Sequence, residues 1–156
     1  MTSVCLLGDE DVDLRFELLS RETSRAALST YDLETPFENA VGLQTVSLGA
    51  AVSLLNDLNW YVVRFADEAI VRDPSVSESE WLSRSLAEAV RNDRVEPDET
   101  GEYLRIYGLE QPSPARPGTL VEPLYVRRTD GALPEYALRD VEETVVVRVT
   151  ESEFDA

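Results

Sequence analysis

The 156 residues contain no lysine and no histidine, one cysteine and one methionine. Each absence removes a class of chemistry. Without His the commonest general base is missing, and nucleophile systems of the Ser-His or Cys-His kind are excluded. Without Lys, Schiff-base catalysis and the phosphate-binding P-loop go as well. A single cysteine closes no internal disulfide, and no Cys/His set exists for zinc. Cys5, inside the apolar run Val4–Leu7, reads as a small core residue. The first ten residues lack a basic segment followed by a long apolar one, so no signal peptide is expected and the expected location is cytoplasmic.

What is present in excess is acid. Asp and Glu number 31 against 14 basic residues, all of them Arg, for a net charge of -17. An acidic surface of this kind serves either a function, as a mimic of nucleic acid or a binder of basic partners, or an adaptation to near-molar salt. In such salt the Debye length falls to about 3 Å and self-repulsion is screened. The acids are scattered from Asp9 to Asp155 and interleaved with Arg rather than gathered in a tail. That distribution favours a halophilic protein, whose charge reports its medium more than its partner.

Against this background one stretch stands apart. Residues 39–56 carry no charged side chain, and the apolar character continues through Trp60–Phe65 and Ala69–Val71. Gln44, Thr45, Ser47, Gly49 and Ser53 interrupt it too often for a membrane span of about 20 apolar residues, and no membrane partner is expected. It is expected to be the centre of the core. Within it Val41–Leu48 reads as a strand, Gly49 as a turn, Ala50–Leu58 as a helix and Trp60–Phe65 as a second strand with Trp60 in the core. Ala66–Glu68 is expected to turn into Ala69–Arg72.

Around this centre, Ser3–Leu7 is a strand candidate and a helix is expected from about Asp11 to Thr30. Ser77-Glu-Ser-Glu80 has the spacing of a capping box, with an apolar stripe of Leu82, Leu86, Ala89 and Val90 behind it, predicting a helix to about Asn92. Pro97 opens a second predicted helix, with Tyr103, Leu104 and Tyr107 inside and Gly108 as its cap. Residues 111–118 are a proline-rich connector. Leu120–Arg128, Glu135–Arg139 and Thr144–Thr150 read as strands, with a Thr129-Asp-Gly131 turn, and 151–156 as a frayed acidic tail. The sum is a single α+β domain: a core over 1–110, a mixed sheet with three to four helices, and a C-terminal antiparallel strand region over 119–150 docked on it.

Val46–Phe65, with the segment running into Ser77–Trp81, resembles an uncharacterised protein family of halophilic archaea. The resemblance implies a salt-loving source and no particular activity.

Three kinds of function remain. Asp9, Asp11 and Asp13 after an apolar strand suggest a divalent cation site, but a calcium loop needs Gly and Glu where Leu14 and Ser20 stand. A strand ending in Asp-x-Asp also resembles the nucleophile motif of haloacid-dehalogenase-like phosphatases, which implies a metal-dependent hydrolase centred on Asp9 and Asp11. That family also uses a basic residue, usually Lys, and none is present. The helix pair with a following hairpin suggests a winged helix. Its second helix would bring Asp98, Glu99 and Glu102 toward phosphate against Arg105 alone, with Arg127 and Arg128 on the wing, so nucleic acid is a poor partner. The reading preferred here is a non-catalytic interaction or regulatory module with a protein partner. It assigns no catalytic, cofactor-binding or metal-ligating residue and expects no cofactor.

Overall fold

Thr2–Gly8 forms strand β1, buried on both faces from Thr2 to Leu7. Such a run needs cover on two sides and neighbours on two edges, and it has both. β1 pairs antiparallel with β2 (Ala40–Thr45) and with β3 (Ala66–Arg72). The computed structural model describes residues 1–111, 115–128 and 143–155, with Glu122 through its backbone alone.

The remaining strands are β4 (Trp81–Ser83), β5 (Tyr103–Glu110), β6 (Thr119–Arg127) and β7 (Glu143–Val149). All seven form one mixed sheet in the order β2-β1-β3-β4-β7-β5-β6. β7 lies parallel to β4 on one side and antiparallel to β5 on the other, so the last strand joins β2-β1-β3-β4 to the β5-β6 pair. The helices are α1 (Leu14–Leu19), α2 (Glu22–Leu28), α3 (Leu48–Asp57), α4 (Asn59–Phe65), α5 (Arg84–Arg91) and α6 (Glu151–Phe154).

Strand alternation divides the apolar residues between two cores. Val4, Leu6, Leu43, Val71 and Leu82 meet Leu14, Leu18, Leu55 and Leu86 beneath the helices. On the other face Cys5, Ile70, Trp81, Tyr107 and Val147 pack with Phe37 into a second core. The sheet curls around it. Its edge strands are drawn together by the segment before β2, where Glu34 bridges to Gly42, Phe37 bridges to Gly118, and the Glu38 N–H donates to the Gly118 carbonyl at 2.8 Å. Burial within this core pushes the Cys5 thiol up to about 12, which leaves it a protonated packing residue.

The mixed α+β domain is as expected, but several elements differ. Six α-helices are described rather than three to four. The helix expected over Asp11–Thr30 is two, α1 and α2, with Ser24 Oγ donating to the Leu18 carbonyl across the break. Gly49 lies inside α3, which Ser47 caps by accepting from the Ala50 N–H at 3.1 Å. Trp60–Phe65 is helix α4, because its inward residues Leu58, Val62 and Phe65 recur at helical spacing, and β3 starts at once with Ala66.

The Ser77 turn is half formed. Its Oγ accepts the Glu80 N–H at 3.0 Å, but strand β4 follows, and the helix begins only at Arg84 behind a Ser83 cap. Pro97–Glu99 makes one short 3₁₀ turn, and Tyr103–Glu110 is a strand whose Leu104 and Ile106 are fully buried on one face. Gly108 sits at a register shift in that strand, not at a helix cap. The winged-helix geometry thus loses its second helix.

Of the C-terminal region, β6 pairs antiparallel with β5 and β7 is also antiparallel to β5, but β7 is parallel to β4. The expected frayed end carries α6, held by a Thr150–Glu153 capping box and by Phe154 stacking 5.0 Å from the Tyr103 ring. The expected Thr129–Gly131 turn, the Glu135–Arg139 strand and residues 112–114 of the connector lie outside the described residues. Among the described residues no helix is long and apolar enough to cross a membrane.

Candidate functional site

Asp9, Asp11 and Asp13 serve the turn between β1 and α1. Asp9 Oδ1 accepts the Asp11 N–H at 3.2 Å, and Asp13 caps α1 by accepting from Phe16 N–H at 3.2 Å. Asn39, in the left-handed region at φ 55, locks the turn from outside. Its Nδ2 donates to the Asp9 and Val12 carbonyls at 2.9 and 2.7 Å, while its Oδ1 accepts the Leu14 N–H at 3.0 Å. Each carboxylate is turned to a local N–H or to solvent. Among the described residues no three His, Cys, Asp or Glu side chains converge as a metal site.

The arginines expected on a wing are neutralised by carboxylates. Arg127 Nε donates to Glu102 at 2.9 Å. Arg128 and Arg148 both grip Glu80, at 2.8 and 2.7 Å, and Arg148 also donates to Thr100 Oγ1 at 2.9 Å. This is why Glu80 does not complete a capping box: its side chain is taken by Arg128, just after β6, and by Arg148 of β7. Burial alone would raise the Glu80 carboxyl, but hydrogen bonds from Arg148 and Arg128 outweigh it and hold the group below its ordinary range.

A second charge pair is hidden on the inner face of the sheet. Arg105 of β5 is 6% exposed, and its Nη2 lies 2.9 Å from Glu68 Oε2 of β3. Burial pushes the Glu68 carboxyl up, with Arg105 pulling the other way. Burial likewise pushes Tyr107, whose ring centroid is 5.5 Å from the Arg105 guanidinium, up to about 12. This pair links two strands that are not neighbours in the sheet, and removing one partner would leave a buried charge uncompensated. The helical reading of Tyr103–Tyr107 hid it; strand alternation of Leu104 and Ile106 against Arg105 and Tyr107 is the signal that finds it.

The outward face of α4 is different. Trp60 is 47% and Val63 68% exposed, although both belong to the most apolar part of the chain. The Trp60 expected in the core is therefore at the surface, and α4 buries only Val62 fully. Arg64, one turn on, stacks over the Trp60 ring with its guanidinium carbon 4.0 Å from the centroid, and Arg64 Nη1 donates to the Trp60 carbonyl at 2.9 Å. Arg21, between α1 and α2, lies 5.6 Å from the same centroid and 5.0 Å from that of Phe65. At i, i+4 spacing on a helix, Trp60 and Arg64 share one face.

A family model described as Family of unknown function (DUF5804) matches residues 2–109. The chain belongs to this family. No curated protein and no solved structure matches it. The DUF5804 match runs from β1 to Leu109 in β5, so it takes in α4, Arg21 and the Glu68–Arg105 pair. Arg128, just after β6, and Arg148 of β7 lie beyond it.

Proposed function

We propose that this member of DUF5804 is a non-catalytic interaction module of a high-salt cytoplasm, binding a protein partner through the outward face of α4. The carrying observation is the exposed Trp60 and Val63 with Arg64 stacked on the Trp60 ring. Aromatic residues and Arg are enriched at the centres of protein interfaces, where a few of them supply most of the binding energy. A guanidinium stacked on a ring presents its N–H edges sideways, and those of Arg64 not spent on the Trp60 carbonyl remain for a carboxylate.

Charge selects the occupant. From Leu58 to Ala66 the single charged residue is Arg64, on a chain of net charge -17. This face suits a partner segment with an apolar side chain flanked by carboxylates. A second copy of the chain would bring another seventeen negative charges against the first. The scattered acids support the high-salt setting, where screening leaves apolar contact to dominate.

The test compares immobilised wild type with Trp60→Ala and Val63→Asp chains of matching circular dichroism, in lysate of the producing cells at molar KCl. The expected outcome is a protein held by wild type and lost by both variants. Once purified, it rebinds wild type one to one and Trp60→Ala about thirtyfold more weakly, as for an interface hot spot of about 2 kcal/mol. Equal recovery by the variants overturns the proposal. So does a sedimenting dimer that Trp60→Ala converts to monomer, which would assign the face to a second copy.

A further inference from the structure

Arginine is scarce in this chain relative to acid, 14 Lys plus Arg against 31 Asp plus Glu, yet Arg72 has no carboxylate partner among the described residues. It closes β3 at the mouth of the curled sheet, where β1 and β7 begin and β2 ends. Its guanidinium carbon sits 4.6 Å from the ring centroid of Trp81, itself 8% exposed. The adjacent carboxylate is diverted: Asp73 accepts from the Thr2 and Ser75 hydroxyls. Stacking holds the guanidinium plane on the indole while leaving its N–H edges unspent.

Arg72 lines a cleft of about 340 Å³. Phe37, Pro36 and Trp81 give it apolar walls, and Gly42 lets Pro36 close in, since a Cβ there would stand 3.0 Å from the proline ring. Gln44, exposed, also lines the cleft. Its Oε1 accepts from Ser3 Oγ at 3.1 Å, which leaves the amide N–H groups as donors without a protein partner among the described residues. Among the described residues of the lining, Glu34, exposed, is the one carboxylate. A cationic fork, a neutral amide donor and flat apolar walls in a space at the lower end of ligand-pocket size form a recognisable donor set.

We infer that the mouth of the curled sheet is a binding site for a small carboxylate with a flat apolar body, Arg72 and Gln44 holding the carboxylate and Trp81 with Phe37 the body. The site lies on β1–β4, β7 and the segment before β2, apart from α4, so it stands or falls independently of partner binding.

The two tryptophans of the chain are Trp60 and Trp81, so a Trp60→Phe background leaves Trp81 as the reporter. Benzoate is titrated into this protein at constant KCl, with benzamide as the neutral isostere and phenyl phosphate as the alternative anion. The expected result is a saturable change in Trp81 fluorescence with benzoate and none with benzamide. Arg72→Gln weakens the benzoate response about ten- to a hundredfold, the range for losing a charged hydrogen-bond partner. Gln44→Leu, which leaves the stacked arginine in place, weakens it by a smaller factor. No saturable response to benzoate, equal binding of benzamide, tighter binding of phenyl phosphate, or an unchanged response in both variants would overturn the assignment.

Discussion

Helices α3 and α4 follow one another in the most apolar part of the chain, and they use their apolar residues in opposite ways. α3 buries Ala51, Val52, Leu54 and Leu55, while α4 fully buries Val62 and leaves Trp60 and Val63 outside. Composition does not separate them; position does. α3 lies over the sheet with Leu55 in the centre of the outer core, whereas α4 needs only one inward stripe to close that core against α1. The lesson is that apolar character beyond what the core takes is surplus, and surplus aromatic surface on an acidic protein is surface available for contact.

The largest expected effect breaks the α3 side of the comparison. Leu55 is 1% exposed, and Leu55→Asp places an unpaired charge in the core at a cost of about 3–5 kcal/mol. Loss of cooperative urea unfolding is expected. Next comes the inner face of the sheet. Glu68→Leu strands Arg105 without its partner and should cost a similar 3–5 kcal/mol, while Glu68→Leu combined with Arg105→Met should recover most of it. A double-mutant cycle by urea unfolding checks this, and equal losses in single and double variants would show that the charge pair does not act as a unit.

Smaller effects follow from charge. With net charge -17, the melting temperature should rise between about 0.1 and 2 M KCl as the Debye length falls from about 10 to about 2–3 Å. Insensitivity to KCl would remove the high-salt setting and return the acids to a role in binding. Glu80 gives the pH term. Its folded pKa is depressed, so its ionised pairing with Arg148 and Arg128 stabilises above the ordinary Glu pKa and is lost as pH falls through the lower folded value. Glu80→Gln should therefore cost about 1–3 kcal/mol at pH 7 and progressively less below about pH 4.5. Chemical unfolding of both proteins across that range would show it, and a gap that does not close on acidification would contradict it.

How much of this was legible in the sequence depends on which force decided each element. β1, β2, α3, β6 and β7 follow apolar runs and caps that local chemistry determines, and all were readable to within a few residues. Trp60–Phe65 and Tyr103–Tyr107 read with the wrong period, because both contain residues compatible with helical and alternating patterns. Burial, a tertiary property, chose between them: Leu58, Val62 and Phe65 inward for the first, Leu104 and Ile106 against Arg105 for the second. Ser77–Glu80 misled for another reason, since Glu80 found two arginines more than 40 positions away. The exposed Trp60 and the mouth around Arg72 were invisible for the same cause. Nothing local distinguishes a tryptophan that is covered from one that is not.

The most direct test of that distinction is the stability of Trp60→Ala/Val63→Asp beside wild type, by urea unfolding at high KCl. If the outward face of α4 is surplus to the fold, each substitution is expected to stay within about 0.5 kcal/mol, the range for surface positions, with an unchanged urea slope. A loss of about 3 kcal/mol or more, as for a buried site, would show that Trp60 and Val63 hold the domain together and would end their reading as a surface kept for a partner.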